Sequence, residues 1–154
     1  MKKAFTMIEL IFVIVILGIL AAVALPKFLG VAQQAHEGNL KAFVGTLNRT
    51  VAPTLWSKSI SDGKGGQIKN YTEYDDSNFT MLADIPKEIN ASHIKFEKCN
   101  AGSFNTNTSN AFTDANDTIT GAEYYIFCRD GNATASPAFV LYDSNNKCIA
   151  GPCQ

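Results

Sequence analysis

The sequence predicts an α+β fold, a long N-terminal helix packed on a small antiparallel β-sheet head. Three observations predict it. Leu10 to Leu25 is an uncharged run of apolar residues interrupted only by Gly18. A helix-period apolar pattern then continues past Pro26. The rest of the chain holds short alternating runs between turn residues, and all four cysteines, at 99, 128, 148 and 153.

The helix comes first in the chain. Phe5 to Leu25 is 21 residues, or about 31 Å of helix, enough to cross the hydrocarbon of a bilayer. Beyond Pro26, the residues Phe28, Val31, Ala32, Ala35, Leu40, Phe43, Val44, Leu47, Val51 and Leu55 recur at steps of three and four. Lys27, Gln33, Gln34, Glu37, Asn39, Lys41, Asn48 and Arg49 take the other face. One helix is therefore expected from Phe5 to Trp56, about 78 Å long if unbroken. Its first half is apolar all round and its second half is amphipathic. Gly18 and Pro26 are the expected breaks, and Pro53 is expected to kink the last turns.

The head follows. Ser61 to Gly66 reads as a loop by its glycines, and Pro86 bounds a mixed stretch with a short helix around Asn78 to Ala83. Strands are expected at Ser92–Lys98, Ala122–Arg129 and Ala138–Asp143, the first with Ile94 and Phe96 inward. A long polar loop, Asn100 to Thr120, separates the first two. Asp143 to Asn146 reads as a turn into a final segment carrying Cys148.

Glu9 is the residue this layout does not explain. A carboxylate at bilayer depth costs roughly 2.5 kcal/mol or more, so it calls for a partner. If the chain were cut after Ala4, the new α-amine of Phe5 would lie one helical turn from Glu9. Met1-Lys2-Lys3-Ala4 followed by Phe5-Thr6-Met7-Ile8-Glu9-Leu10 and the apolar run to Pro26 resembles the N-terminus of type IV pilins and type II secretion pseudopilins. Where that family usually has Gly before the cut, this chain has Ala4.

The resemblance implies a pilin fold and a division into a leader (1–4), a transmembrane and polymerisation helix (5–26), its amphipathic continuation (27–57) and a globular head (58–154). It implies cleavage between Ala4 and Phe5 by a prepilin peptidase, N-methylation of Phe5, and pairing of Phe5 with Glu9 between subunits. It also implies that the Gly18–Pro26 stretch can lose helical structure in a filament; a static kink is the other reading. The partners implied are copies of the chain, related pilins, the peptidase and an inner-membrane assembly platform. The implied location is the bacterial inner membrane, as a single-pass precursor with a periplasmic head, and then a surface pilus or a periplasmic pseudopilus. A Sec signal peptide cut after Ala24, releasing a soluble periplasmic binding domain, is the competing reading. A plain membrane anchor has no use for Glu9.

Composition bounds the rest. Without Lys2 and Lys3, 11 basic side chains face 14 acidic ones, a net of −3. That is too mild to indicate a nucleic-acid partner. An even cysteine count beyond the apolar segment fits disulfides in an oxidising compartment. Of the three possible pairings, Cys99–Cys128 with Cys148–Cys153 is favoured, because the first two end strands and the second two enclose a short Gly-Pro segment. A zinc site built from all four cysteines is the competing arrangement.

His36 and His93 have no HExxH spacing or nucleophile partner, and Gly63-Lys64-Gly65-Gly66 lacks the P-loop pattern, so no enzyme activity and no cofactor are expected. Calcium is the metal to weigh, with Asp114, Asn116 and Asp117, or Asp143 and Asn145, as oxygen ligands. Asn-x-Ser/Thr triplets begin at 48, 70, 78, 90, 107, 116 and 132. Asn78, Asn90, Asn116 and Asn132 also follow an acidic residue by two positions, a pattern resembling the acceptor of bacterial N-linked glycosylation.

Overall fold

The computed structural model of the chain describes residues 5–116 and 121–153. One helical rod leads into the head: α1 (Met7–Thr46), a wider π-type turn (Leu47–Val51) and α2 (Ala52–Ser61). Thr6 caps its start, its Oγ1 accepting the Glu9 N–H at 3.4 Å. The rod ends at Ser61 rather than Trp56.

Gly18 and Pro26, expected as helix breaks, both lie inside α1, which continues through them. A proline removes a single donor, and long helical stretches on both sides hold the remaining ladder. The distortion expected near Pro53 takes the form of the wider turn, where the Ala52 N–H bonds the Leu47 carbonyl five residues back and Pro53 enters the first turn of α2.

The sheet is an antiparallel meander of β1 (Thr113–Asn116), β2 (Glu123–Arg129), β3 (Ala138–Asp143) and β4 (Cys148–Ala150), in that spatial order. β2 and β3 fall where the short apolar runs place them, and β4 follows the Asp143 turn. Two expectations are corrected. β1 lies inside the stretch expected to be a loop; its inward residues are Thr113 and Ala115, too small and polar to register as a strand. Ser92–Lys98 is not a strand. It is two 3-10 turns, Ala91–His93 and Phe96–Lys98, around a short extended link. Ile94 and Phe96 do point inward and are fully buried. Side-chain acceptors end the ladder: Asn90 Oδ1 takes the Ser92 N–H and Asp75 Oδ1 takes the Phe96 N–H. The short helix near Asn78 is likewise a 3-10 segment, Asp76–Met81.

Two apolar layers hold the head. Leu40, Phe43, Val44, Leu47, Val51 and Leu55 form one buried stripe along the rod; Phe28, Val31 and Ala35, expected on the same face, are exposed, because the five-residue step from Ala35 to Leu40 turns the stripe away from them. Against it runs a chain of edge-on and stacked rings from Phe43 through Phe79, Phe96 and Phe112 to Phe139, with centroids 5.1–6.1 Å apart. On the other sheet face Phe127, Val140 and Tyr142 form a second cluster, packed against Phe104 and Ala111 of the segment between Asn100 and β1. The Arg129 guanidinium lies 5.5 Å from the Phe104 ring centre.

Cys99 bonds Cys128 and Cys148 bonds Cys153. The first bridge ties the segment behind the 3-10 turns to β2, and the second closes the chain end on β4. Such bridges act chiefly by restricting the unfolded chain, by about 2–4 kcal/mol each.

A polar contact stitches rod to sheet. Asn48, in the wide turn, donates from Nδ2 to the Phe139 carbonyl at 2.8 Å, and its Oδ1 accepts the Phe139 N–H at 2.9 Å. The amide thus acts as a one-residue strand beside β3. Asn48→Leu leaves both Phe139 groups without a partner against the helix and is expected to cost about 1–3 kcal/mol, read as a lower Tm of the detergent-solubilised chain. Gly66 has φ +84, and a Cβ there would meet the Asn132 carbonyl and the Trp56 indole. Gly66→Ala is therefore expected to be destabilising in the same assay, by more than a surface substitution's ~0.5 kcal/mol.

Candidate assembly interface

The first half of the rod touches nothing in its own chain. Phe5 is 83% exposed, Phe12 65%, Leu25 65% and Phe28 70%. Met7–Ser61 contains a window apolar enough to cross a membrane, and none of that window is buried by the head. Exposed apolar area on this scale marks an interaction surface or a lipid-facing one. Glu9 stands exposed one turn from exposed Phe5, and Lys27 stands just past the apolar run. Among the described residues neither Glu9 nor Lys27 has an ion-pair partner.

Contact with the head begins at Gln33, whose Nε2 donates to the Tyr124 hydroxyl at 3.5 Å. One turn on, His36 Nδ1 lies 2.6 Å from Glu88 Oε1, which also accepts from Asn39 Nδ2 at 3.2 Å. The Glu88 side chain is 3% exposed, and its Oε2 has no partner. Burial works against the Glu88 charge, but the bonds from His36 and Asn39 outweigh it and hold the carboxyl below its ordinary 4.5. The Glu88 carbonyl accepts the Asn116 N–H, so the same residue also braces β1.

Residues 1–25 match the family described as the prokaryotic N-terminal methylation motif. The chain is also similar to the type IV narrow pilus major component PilA5 of Thermus thermophilus, with 34% identity over 89 residues, covering 53% of this chain and 77% of that protein. The chain belongs to the type IV pilin and pseudopilin family. No solved structure matches it. Pilins are structural subunits that assemble into filaments.

The other residues singled out in the sequence fall as follows. Ala4 lies outside the described residues, as do Asp117 and the rest of the Asn116 triplet. Asp114 pairs with His93, and Asp143 Oδ1 accepts the N–H groups of Asn145 and Lys147, an Asx turn. Among the described residues no three His, Cys, Asp or Glu side chains gather as a metal-binding group.

The acids that precede the four asparagines all have work within the fold. Asp76 pairs with Lys95, Asp114 with His93 and Glu88 with His36. Asp130 Oδ1 accepts the N–H groups of Ile68 and Gly131, while burial holds its carboxyl above the ordinary 3.8. Asn78 donates to the Glu73 carbonyl. Asn90 and Asn132 are exposed, each Oδ1 accepting the hydroxyl of its own triplet.

Three contributors escaped the sequence reading. Thr6 caps the helix, and Thr6-x-x-Glu9 is a capping-box spacing that was legible. Glu88 and Asn48 were not, because their partners lie 52 and 91 residues away.

Glu88 makes stability depend on pH. Its folded pKa is lowered, so its contribution is present above about pH 4.5 and is lost as pH falls through the lowered value. Glu88→Gln is expected to cost about 1–3 kcal/mol at pH 7. Thermal melts of the detergent-solubilised chain should show the gap to wild type narrowing as pH drops below 4.5.

Proposed function

We propose that the chain is a structural subunit of a type IV pilus, made as a single-pass inner-membrane precursor. A prepilin peptidase removes residues 1–4 after Ala4, and Phe5 is methylated. An inner-membrane platform then transfers the 5–26 helix from lipid to a filament, where the Phe5 amine of one subunit meets Glu9 of another. The observation that carries this reading is the uncovered apolar rod with Phe5 and Glu9 exposed one turn apart. Lipid covers the rod in the monomer, and neighbouring rods cover it in the filament. An unpaired Glu9 in a dry filament core would cost several kcal/mol, so the pairing favours docking in one register. The similarity to a pilus major component favours a pilus over a secretion pseudopilus. During assembly, the Gly18–Pro26 stretch is where the ladder is weakest, since Pro26 lacks an N–H and Gly18 has low helix propensity.

N-terminal peptide mass spectrometry of the mature protein from its native cell is the deciding experiment. A methylated peptide beginning at Phe5 is expected. A mature chain beginning at Leu25 would overturn the reading, because no polymerisation helix would remain. Glu9→Leu is expected to insert into the membrane normally yet yield far fewer filaments, and a wild-type yield would rule out the pairing.

Glycosylation at Asn90 or Asn132 also belongs to this proposal. The acids before both are turned inward, so transfer would precede folding of the head. Intact mass of the native protein without added glycan would remove it.

A further inference from the structure

The two disulfides sit in different surroundings. Cys99 and Cys128 are 3% and 1% exposed and belong to the main apolar core. Backbone bonds from Asn100 to Cys128 and Asp130 cross beside them. Cys148 is half-buried and Cys153 is exposed. These two are only 5 positions apart, and short loops are the ones whose closure constrains the unfolded chain least.

The chain end does not depend on this second bridge for its place. β4 is held by the pairing of Ala150 with Leu141 and of Cys148 with Tyr142. Ile149 and Ala150 pack against the main core. Gly151, at φ +100, lies so close to β3 that a Cβ there would run into the Phe139 carbonyl and the Val140 backbone. Opening the bridge therefore frees only Pro152 and Cys153 among the described residues.

The neighbours of Cys148 favour exchange. It borders an open cavity of about 240 Å³ that it shares with Glu37, Lys41, Asp143, Lys147 and Ile149. Glu37 is paired with Lys41, and Asp143 Oδ1 accepts the N–H groups of Asn145 and Lys147. The exposed Lys147 ammonium has no ion-pair partner among the described residues. A sulfur leaves a disulfide faster when its thiolate is stabilised, and both a neighbouring ammonium and access to water do that. At the core bridge a departing thiolate would be stranded among apolar side chains.

We propose that Cys148–Cys153 is a thiol–disulfide exchange site, opened and reclosed by a dithiol, while Cys99–Cys128 is a permanent structural bridge. A thiolate of the dithiol attacks the exposed Cys153 sulfur, and the bond to Cys148 breaks. Cys148 leaves as a thiolate beside Lys147 and then takes a proton. The second thiol of the dithiol attacks its own sulfur in the mixed disulfide, closing the oxidised dithiol and releasing Cys153. Two electrons and two protons pass from the dithiol to the bridge. The head keeps its fold throughout and gains two reactive thiols on its surface. This inference concerns the head alone and stands whether or not the rod assembles.

The test treats the full detergent-solubilised chain with dithiothreitol at neutral pH without denaturant, followed by iodoacetamide and peptide mass spectrometry. Cys148 and Cys153 are expected to be alkylated at a dithiothreitol concentration about tenfold or more below that needed for Cys99 and Cys128, with the far-ultraviolet circular dichroism unchanged. Lys147→Gln is expected to slow the opening roughly threefold, Lys147→Arg to restore it, and added salt to narrow the gap. Reduction of both bridges together, or loss of the folded signal when the outer one opens, would overturn the proposal. Equal rates for wild type and Lys147→Gln would overturn the part given to Lys147. A Cys148→Ser, Cys153→Ser double variant is expected to fold and to resist the low reductant concentration; if it does not fold, the chain end depends on the bridge and the proposal fails.

Discussion

Everything in this molecule follows from one helix that is too long for its head. The rod runs 55 residues from Met7 to Ser61, yet its first residue fully buried in the head is Leu40. The apolar residues before it cannot remain in water, since burying a large aliphatic or aromatic side chain is worth about 1.5–3 kcal/mol. The chain on its own offers no cover. Cover must come from outside the chain, which suits a family whose subunits assemble into filaments.

The head resolves a different problem, which is how to grip a single helix firmly from one side. The aromatic chain from Phe43 to Phe139 supplies area, but apolar packing alone permits a helix to slide or roll. Asn48 removes the sliding freedom by hydrogen-bonding both backbone groups of Phe139. The two disulfides restrain the segments around the sheet, and the second apolar cluster covers its outer face. Among the described residues the small head therefore leaves no wide apolar face open, with Ile60 and Met81 the only large apolar side chains exposed beyond the bare part of the rod.

How much of this was legible depends on range. The rod was legible because its pattern repeats locally over dozens of residues, and β2 and β3 because each is a short run of large apolar side chains bounded by polar turn residues. The disulfide pairing was reached from two expected strand ends and a short Gly-Pro loop, although Cys99 in fact follows a 3-10 turn. β1 was missed because Thr113 and Ala115 carry no strong hydrophobic signal; what makes it a strand is the backbone of β2. Ser92–Lys98 was misread because alternation reports which side chains face inward, and Ile94 and Phe96 do, but not whether the backbone ladder is already taken by Asn90 and Asp75. That Phe5 and Glu9 stand one turn apart was legible from local spacing. Glu88 and its His36 contact were not, because nothing in the sequence links positions 52 residues apart.

The polar group at Gln33, His36 and Asn39 has a consequence for assembly. These side chains lie where the bare rod becomes the packed rod, and each bonds a head residue, Tyr124 or Glu88. Hydrogen bonds need specific directions, so they fix the rotation of the helix about its own axis where apolar contacts would tolerate several. Fixing that rotation fixes which face points away from the head, and with it the direction of Phe28, Val31 and the two lone charges. A filament needs that relation held constant from subunit to subunit, because each rod must present the same face to its neighbours while every head stays outside. The buried Glu88, with one oxygen left unpaired, is a costly way to hold a helix if stability were the only demand. It is a sound way to set the angle between an assembly surface and the domain it carries.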